Sequence, residues 1–175
     1  MKNSYLIPDM FRICPQTGEV LEEQARLRTV TDWPDEASDM VSPRNAYISF
    51  QVIVRLGSAD LSEIRIEADV VAGQHDRIAC EEFVYFTQWY HKVKGRYYLD
   101  ALVPLGDEAQ SFAAVSRRNA VPSQAFAAVW VDLFIPADTQ AGDYLGAIRV
   151  RPAPTRKPMN SGSRFSRRPF RTSRL

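Results

Sequence analysis

Hydrophobic and polar residues alternate with a period of two through most of the chain between residues 46 and 150. The alternation is clearest over residues 126–135, where five aliphatic residues fall on one side and Phe126, Trp130 and Phe134 fall on the other. Alternation of this kind, rich in aromatic and β-branched residues, is typical of β-strands. The same pattern predicts further strands over 46–54, 63–70, 83–93, 96–100 and 144–150.

The last two strands predict a hairpin. Pro136 ends the first of them because proline lacks an N–H and cannot continue a central ladder. Gly142 then permits a turn in a conformation where a Cβ would clash. No long helical pattern separates the strands, so a parallel sheet, which needs crossover connections, is disfavoured. The fold class predicted is all-β, an antiparallel β-sandwich.

Composition divides the chain into three segments. Residues 1–42 are interrupted by prolines and are predicted to be an irregular N-terminal segment. Residues 43–151 carry the strand pattern and form the predicted β-sandwich domain. Residues 152–175 are rich in Pro, Ser and Arg, with too few apolar residues to offset the entropy of ordering. This basic C-terminal tail is therefore predicted to be disordered.

The charge is distributed unevenly along the chain. Eight of the 22 Lys and Arg residues lie within 151–175, which holds no acidic residue, so residues 1–150 have a net charge of −7. An acidic body argues against nucleic-acid binding by the folded domain, because phosphate contacts need basic side chains. The tail admits three interpretations: a binder of nucleic acid or an acidic membrane surface, a plain solvated tail, or out-of-frame translation of a GC-rich gene. In the third interpretation the protein continues beyond Val150 in another reading frame.

Targeting signals and cysteine usage point to a reducing compartment. The N-terminus lacks the apolar run of 7–15 residues that marks a signal peptide, and no stretch approaches the roughly 20 apolar residues that span a bilayer. We therefore expect a soluble cytoplasmic protein with no membrane partner. Cys14 and Cys80 allow at most one disulfide, and their spacing is not that of a metal or redox motif.

The sequence offers no catalytic constellation. His75 and His91 are the only histidines, and neither stands near a nucleophile motif. Glu81 and Glu82 are adjacent, so on a strand they would point to opposite faces and could not form a glycosidase pair. We therefore predict a non-enzymatic chain without catalytic residues and without a cofactor.

Three aspartates, Asp132, Asp138 and Asp143, surround the predicted hairpin. A calcium clasp on such a loop is one interpretation. Aspartate at turns more often caps local backbone N–H groups. We therefore predict no metal ligands.

Aromatic residues are concentrated around the predicted strand 83–93 and its successor. Trp89, Tyr90, Tyr97 and Tyr98 are the predicted ligand-binding residues, because aromatic faces pack against the C–H faces of sugar rings. The alternative is that they are core or interface residues, whose packing aromatic side chains often dominate.

Four short motifs carry a family resemblance when they are taken in order. They are PRNAYISFQV at 43–52, YLDALVPL at 98–105, WVDLFIP at 130–136 and AGDYLG at 141–146. In this order they resemble the N-terminal β-sandwich domain that precedes the catalytic barrel in glycoside hydrolase family 123 and related uncharacterised bacterial proteins. The resemblance covers about residues 40–150. The chain departs from the family pattern at Ala46, where an acidic residue is common, and at Leu99, where proline is usual.

The resemblance implies a family whose downstream barrel uses an Asp-Glu pair for substrate-assisted cleavage of N-acetylgalactosaminides. No position of this chain matches that pair, so no catalytic residue is carried over. Among the matching residues, Phe50, Val52, Trp130 and Phe134 are expected in the core, and Asp132 is expected to pair with a nearby charge such as Arg44 or to cap backbone groups.

These observations predict a non-catalytic β-sandwich accessory domain, possibly a fragment, of a glycoside-hydrolase-like protein. Its partner would be a carbohydrate or a carbohydrate-active catalytic domain. The alternative is a free-standing carbohydrate- or protein-binding module that uses the aromatic strand 83–93.

Overall fold

The structure is a computed structural model that describes residues 4–21, 29–33, 38–57, 63–105, 111–113, 119–152 and 166–173. These residues form strands and two short 3-10 turns, at Val30–Asp32 and Cys80–Glu82, and the described ranges contain no α-helix. The strands are β1 (Ser4–Pro8), β2 (Ser38–Val41), β3 (Ala46–Arg55), β4 (Glu63–Ala68), β5 (Val71–Gly73), β6 (Arg77–Ile78), β7 (Phe83–Val93), β8 (Arg96–Pro104), β9 (Ser111–Ala113), β10 (Phe126–Ile135), β11 (Tyr144–Pro152) and β12 (Ser166–Ser173).

The strands predicted from alternation are confirmed. β7 and β10 begin and end at the predicted residues, and β3, β4, β8 and β11 start within two residues of their predicted positions. Alternation predicts these strands because successive side chains point to opposite faces of a sheet. Where one face is buried, every second residue is therefore apolar.

Five strands form the first sheet in the order β1-β3-β10-β7-β8, with every neighbouring pair antiparallel. Its centre is the pairing of β3 with β10, which runs without interruption from Ala46 opposite Ile135 to Arg55 opposite Phe126. β8 carries a bulge opposite Trp89 and Tyr90.

The second sheet has the order β2-β12-β11-β4-β9, and the short β5 pairs with both β11 and β6. Its strand pairs are antiparallel apart from β12 and β2, which run parallel. The two sheets pack face to face, so the predicted antiparallel β-sandwich is confirmed. The predicted hairpin of β10 with β11 is wrong, because β10 pairs within the first sheet and β11 within the second, and the loop around Gly142 connects the two sheets.

The main core lies between the two sheets. The first sheet contributes its aliphatic face, including Phe50, Val131 and Leu133, and the second contributes Ile66 and Ile148. All of these side chains are almost fully buried.

A second core covers part of the other face of the first sheet. Tyr5, Ile7, Ile53 and Phe126 lie on that face, and the N-terminal segment covers them with three aliphatic residues, Ile13, Val20 and Val30. The segment turns at Gly18, where φ is +75° and a Cβ would lie 2.7 Å from the ring of Phe126. The sandwich therefore has a third, partial layer at this end.

The terminal segments differ from the sequence-based expectation. The predicted irregular segment 1–42 contains the strands β1 and β2, and the predicted tail 152–175 contains the strand β12, while disorder of the tail stays a prediction. Residues 153–165, 174 and 175 lie outside the described residues. β1 and β2 escape detection by alternation because they are short strands at sheet edges, where ladder hydrogen bonds are available to any extended backbone.

The predicted core assignments are half correct. Phe50 and Val52 are fully buried, as expected. Trp130 and Phe134 are only half-buried, because they lie on the face of β10 that points away from the second sheet. Both faces of β10 carry large apolar side chains, so period-two alternation alone does not decide which one meets the second sheet.

Leu133→Ala is expected to lower the free energy of unfolding by about 2–5 kcal/mol, because it leaves a cavity between the sheets. Leu145→Ala is the matched control: Leu133 is 0% exposed and Leu145 is 58% exposed. The control is expected to change the free energy by no more than about 0.5 kcal/mol. Urea unfolding of the two variants measures the difference, and equal effects would contradict the assignment of the main core.

Candidate functional site

The four predicted ligand-binding aromatics lie on β7 and β8 but do not share a face. Trp89 and Tyr90 are consecutive on β7, so their side chains point to opposite faces of the sheet. Tyr97 and Tyr98 are likewise consecutive on β8. The register places Tyr98 on the face of Trp89 and Tyr97 on the face of Tyr90. One platform made of all four rings is therefore not formed, and the binding role of the individual residues stays a prediction.

Tyr90 is a buried residue of the first sheet. Its ring is 8% exposed, and its hydroxyl donates to Oε1 of Gln88 over 3.3 Å. The side chain of Asn119 pairs with its backbone on both sides, accepting from the Tyr90 N–H at 2.7 Å and donating to its carbonyl at 2.9 Å. Burial, and to a smaller extent the nearby thiol of Cys14, raises the pKa of the Tyr90 hydroxyl well above its usual range.

A buried chain of amides continues from Gln88 toward the N-terminal segment. Nε2 of Gln88 donates to Oε1 of Gln51 over 2.6 Å. Nε2 of Gln51 lies 2.5 Å from the carbonyl of Phe11, and 3.3 Å from those of Pro8 and Asp9. The chain ties the N-terminal layer to the sheet and satisfies polar groups that would be costly to bury alone.

Beyond the N-terminal layer, the same outer face carries an exposed apolar surface, which we call the aromatic face. It consists of Tyr47, Val84, Phe86, Trp130 and Phe134 from β3, β7 and β10. Tyr47 is 60% exposed and Val84 39%, while the other three are half-buried. Phe134 lies opposite Tyr47, with ring centroids 5.0 Å apart, and Trp130 lies opposite Phe86. Three neighbouring strands thus present aromatic side chains together.

Asp132 lies within the aromatic face and orients the side chain of Trp130. Its Oδ1 accepts from the Trp130 indole N–H at 2.7 Å and from the Ser49 hydroxyl at 2.6 Å. The expected pairing with Arg44 is therefore replaced by contacts on the sheet itself. Asp132 is half-buried, and among the described residues no group donates to its Oδ2, which therefore retains the capacity to accept a hydrogen bond.

Sequence reasoning missed this surface because it assigned Trp130 and Phe134 to the core. A usable signal was present: Trp130, Asp132 and Phe134 are spaced by two residues and must share one face of β10. A carboxylate in the middle of that row is unsuited to the interior of a sandwich.

The loop between β10 and β11 is held by Asp76. Oδ2 of Asp76 accepts from the backbone N–H of Gln140 at 2.9 Å and lies 3.1 Å from the Tyr144 hydroxyl. Its Oδ1 accepts from the backbone N–H of Arg77 at 2.8 Å. A Cβ on Gly73 would lie 2.8 Å from the Tyr144 ring, so this contact needs a glycine.

A cleft of about 280 Å³ lies beside this contact and is lined by Gln74, His75, Asp76, Gln140, Ala141, Gly142, Asp143 and Tyr144. Two carboxylates line it, and that of Asp76 already accepts hydrogen bonds that order the loop. Asp138 and Asp143 are exposed on the loop, whereas Asp132 is on the sheet. Across the ranges that the structure describes, no three His, Cys, Asp or Glu residues are grouped to hold a metal ion.

The other residues considered for catalysis are dispersed. His75 and His91 are exposed. Glu81 and Glu82 lie in the 3-10 turn before β7 rather than on a strand. Cys14 is a buried free thiol, and no helix within the described residues has the length and apolarity to cross a bilayer.

No family model matches the chain, and no curated protein matches it. Among solved structures, the chain is similar to a family 123 glycoside hydrolase from Clostridium perfringens described for glycolipid glycan hydrolysis. The identity is 10%, the TM-score is 0.62, and the match covers 98% of this chain and 27% of that enzyme. At this identity the likeness shows the β-sandwich fold. The chain spans about a quarter of the enzyme's length.

Two further structures match with TM-scores below 0.5, and no argument rests on them. AvmM, which catalyses macrocyclization in alchivemycin A biosynthesis, is 13% identical with a TM-score of 0.42, over 79% of this chain and 85% of that one. CfaE, the adhesive subunit of CFA/I fimbria of enterotoxigenic Escherichia coli, is 12% identical with a TM-score of 0.38. That match covers 96% of this chain and 48% of CfaE.

Because the pKa of Tyr90 is raised in the folded chain, the free energy of unfolding is expected to depend on pH in the alkaline range. Below about pH 10 the hydroxyl is neutral in both states, whereas above it only the unfolded chain ionises. The free energy of unfolding is therefore expected to fall by about 1.4 kcal/mol per pH unit above pH 10 through this residue. Tyr90→Phe should remove this contribution.

The measurement is the difference in unfolding free energy between the wild-type chain and Tyr90→Phe at pH 8 and at pH 11. The advantage of the wild type should shrink between the two pH values. Tyr47→Phe, the same change at an exposed tyrosine, should keep the wild-type pH dependence because Tyr90 is still present. A difference that does not change with pH would contradict the assignment.

Proposed function

We propose that this chain is a non-catalytic β-sandwich accessory module of a bacterial glycoside-hydrolase-like protein, and that it supports a carbohydrate-active domain. The observation that carries the proposal is the aromatic face, an exposed apolar surface formed by three neighbouring strands of the first sheet. Contiguous exposed apolar surface of this kind marks sites of interaction with another molecule or domain.

The composition of the aromatic face suits a partner domain. Interface centres are enriched in aromatic residues and depleted in charge. Trp130 is fixed by its bond to Asp132, so little side-chain freedom is lost when a partner packs against it. The fold likeness to part of a family 123 glycoside hydrolase, and the four ordered motifs, favour a carbohydrate-active domain as that partner.

The purified chain is expected to show no hydrolysis of aryl N-acetylgalactosaminides, because the barrel that carries the family's Asp-Glu pair has no counterpart in its motifs. Release of the chromophore measures this. The coding DNA beyond the Val150 codon, read in all frames, is expected to encode a barrel. Turnover that copurifies with the folded chain would overturn the proposal, as would a locus without such a segment.

A second candidate function is free-standing carbohydrate binding by the aromatic face. It is favoured by the open Oδ2 of Asp132 beside the Trp130 ring, because a sugar ring stacked on the indole could donate a hydroxyl to that oxygen. In this case the binding surface is centred on β10 rather than on the predicted aromatic strand β7.

If the aromatic face binds sugar, Tyr47→Ala should weaken binding to a glycan array at least tenfold, since stacking on an exposed ring is lost. Tyr98→Ala is the matched control, because Tyr98 lies on the opposite face of the sheet. Trp89→Ala tests the predicted aromatic strand in the same assay. Loss of binding in Trp89→Ala alone would place the site on β7, and no saturable binding by the wild type would remove the second candidate.

A further inference from the structure

β8 leaves one edge of the first sheet open. It is the last strand in the order β1-β3-β10-β7-β8, and among the residues that the structure describes only β7 pairs with it. β8 has nine residues, whereas the other strands that end the two sheets, β1, β2 and β9, have five, four and three. A long edge strand presents unpaired backbone N–H and C=O groups to another chain.

The turn between β7 and β8 determines which backbone groups of β8 point to the open edge. It consists of Lys94 and Gly95, with φ angles of +47° and +88°, so the two residues that flank it form a hydrogen-bonded pair. Hydrogen-bonded and non-hydrogen-bonded pairs then alternate along the ladder. Tyr97 and Leu99 occupy non-hydrogen-bonded positions opposite β7, so their N–H and C=O groups point outward, where no described backbone group meets them.

The segment from Arg96 to Asp100 is complementary to itself in the antiparallel direction. It reads Arg-Tyr-Tyr-Leu-Asp, with a basic residue at one end and an acidic residue at the other. A two-fold axis through Tyr98, perpendicular to the sheet, brings Arg96 of one copy opposite Asp100 of the other at both ends. Opposite charges at directly opposed positions stabilise a strand pair.

The same register uses the outward backbone groups. It places Tyr97 opposite Leu99 of the second copy, and these are the residues whose N–H and C=O groups are oriented to exchange ladder hydrogen bonds. Tyr98 lies opposite its own copy in a non-hydrogen-bonded pair, where side chains are closer and aromatic rings interact across the strands. A register centred on Asp100 would instead place the two aspartates opposite one another, which is repulsive.

Features at both ends limit the pairing to this segment. Asp100 is the extra residue of the bulge, because Trp89 lies opposite Ala101 while the next residue of β7, Tyr90, lies opposite Leu99. At the other end the strand stops at the turn. Charges and bulges on an edge strand normally prevent pairing with other chains. Here charges of opposite sign occupy symmetry-related positions, so they oppose unrelated edges and favour an identical one.

We infer that β8 is a self-pairing edge, through which a second copy of this chain joins the first sheet in a two-fold symmetric dimer. The occupant is a second copy because the charge pattern of Arg96 and Asp100 is complementary to itself. The paired segment is short, so the dimer is expected to be weak and to dissociate in the micromolar range or above. The inference does not rest on the proposed accessory role, and β8 contributes no residue to the aromatic face.

Sedimentation equilibrium of the full chain tests the charge pairs. The weight-average mass of the wild type should rise from that of the monomer toward twice that value between about 1 µM and about 1 mM. Asp100→Arg should weaken dimerisation about tenfold, because it places like charges opposite one another at both ends of the pairing. Arg96→Asp combined with Asp100→Arg exchanges the charges and should restore the affinity of the wild type.

Asp138→Arg is the matched control, since Asp138 is also an exposed aspartate, on the loop between β10 and β11, and the change in net charge is the same. It should leave the dimerisation constant unchanged. A wild type that stays monomeric at all concentrations would overturn the inference. So would a dimer that Asp100→Arg does not weaken, or one that the exchange of charges does not restore.

A second test locates the two-fold axis. Tyr98→Cys should form a disulfide with its own copy under mild oxidation, because a non-hydrogen-bonded pair brings the opposed Cα atoms within the distance that a disulfide requires. Leu102→Cys is the control, since Leu102 is exposed on the same strand but is well removed from the axis. Non-reducing electrophoresis and mass spectrometry of the linked peptides measure the product. Equal linkage in the two variants, or none through residue 98, would contradict the register.

Discussion

The structure depends on one strand pair, β3 with β10. Its inner face is apolar, and its outer face carries large apolar side chains at both ends with the polar Ser49, Gln51 and Asp132 between them. A pair of this kind must be covered twice. The second sheet covers the aliphatic face and creates the main core. The N-terminal layer covers only one end of the opposite face, through Ile13, Val20 and Val30. The remaining end is the aromatic face. A surface for a partner thus follows from incomplete coverage of the central pair.

Polar residues mark the boundary between the covered and uncovered parts of that outer face. Gln51 and Gln88 lie under the N-terminal layer and satisfy one another and the backbone of the layer. Asp132 lies in the uncovered part, where it fixes the Trp130 indole. All three are charged or polar groups on the same sheet face, yet their partners differ. The two glutamines are buried under the N-terminal layer, whereas Asp132 lies where the layer does not cover the sheet.

The two neighbours of β11 illustrate how weakly the backbone alone selects a strand. Ladder hydrogen bonds are available to any extended segment, whereas the side-chain pattern decides how well the segment fits. β4 satisfies both where Ala68 and Ile66 lie opposite the buried Ile148 and Val150, and β12 satisfies the first through its ladder with β11.

The sequence by itself determined the strands of the sandwich and the antiparallel arrangement of most of them, because alternation is a local signal. It did not determine that β10 and β11 belong to different sheets, because partner choice depends on distant strands. Only the tertiary structure decided which face of β10 is inside. Period two fixes that Trp130 and Val131 point to opposite sides, but long-range packing against Ile148 of the second sheet selects the buried side. The same reason separates Trp89 from Tyr90, and it explains why β1, β2 and β12 were missed: their pairing is supplied by distant strands rather than by their own pattern.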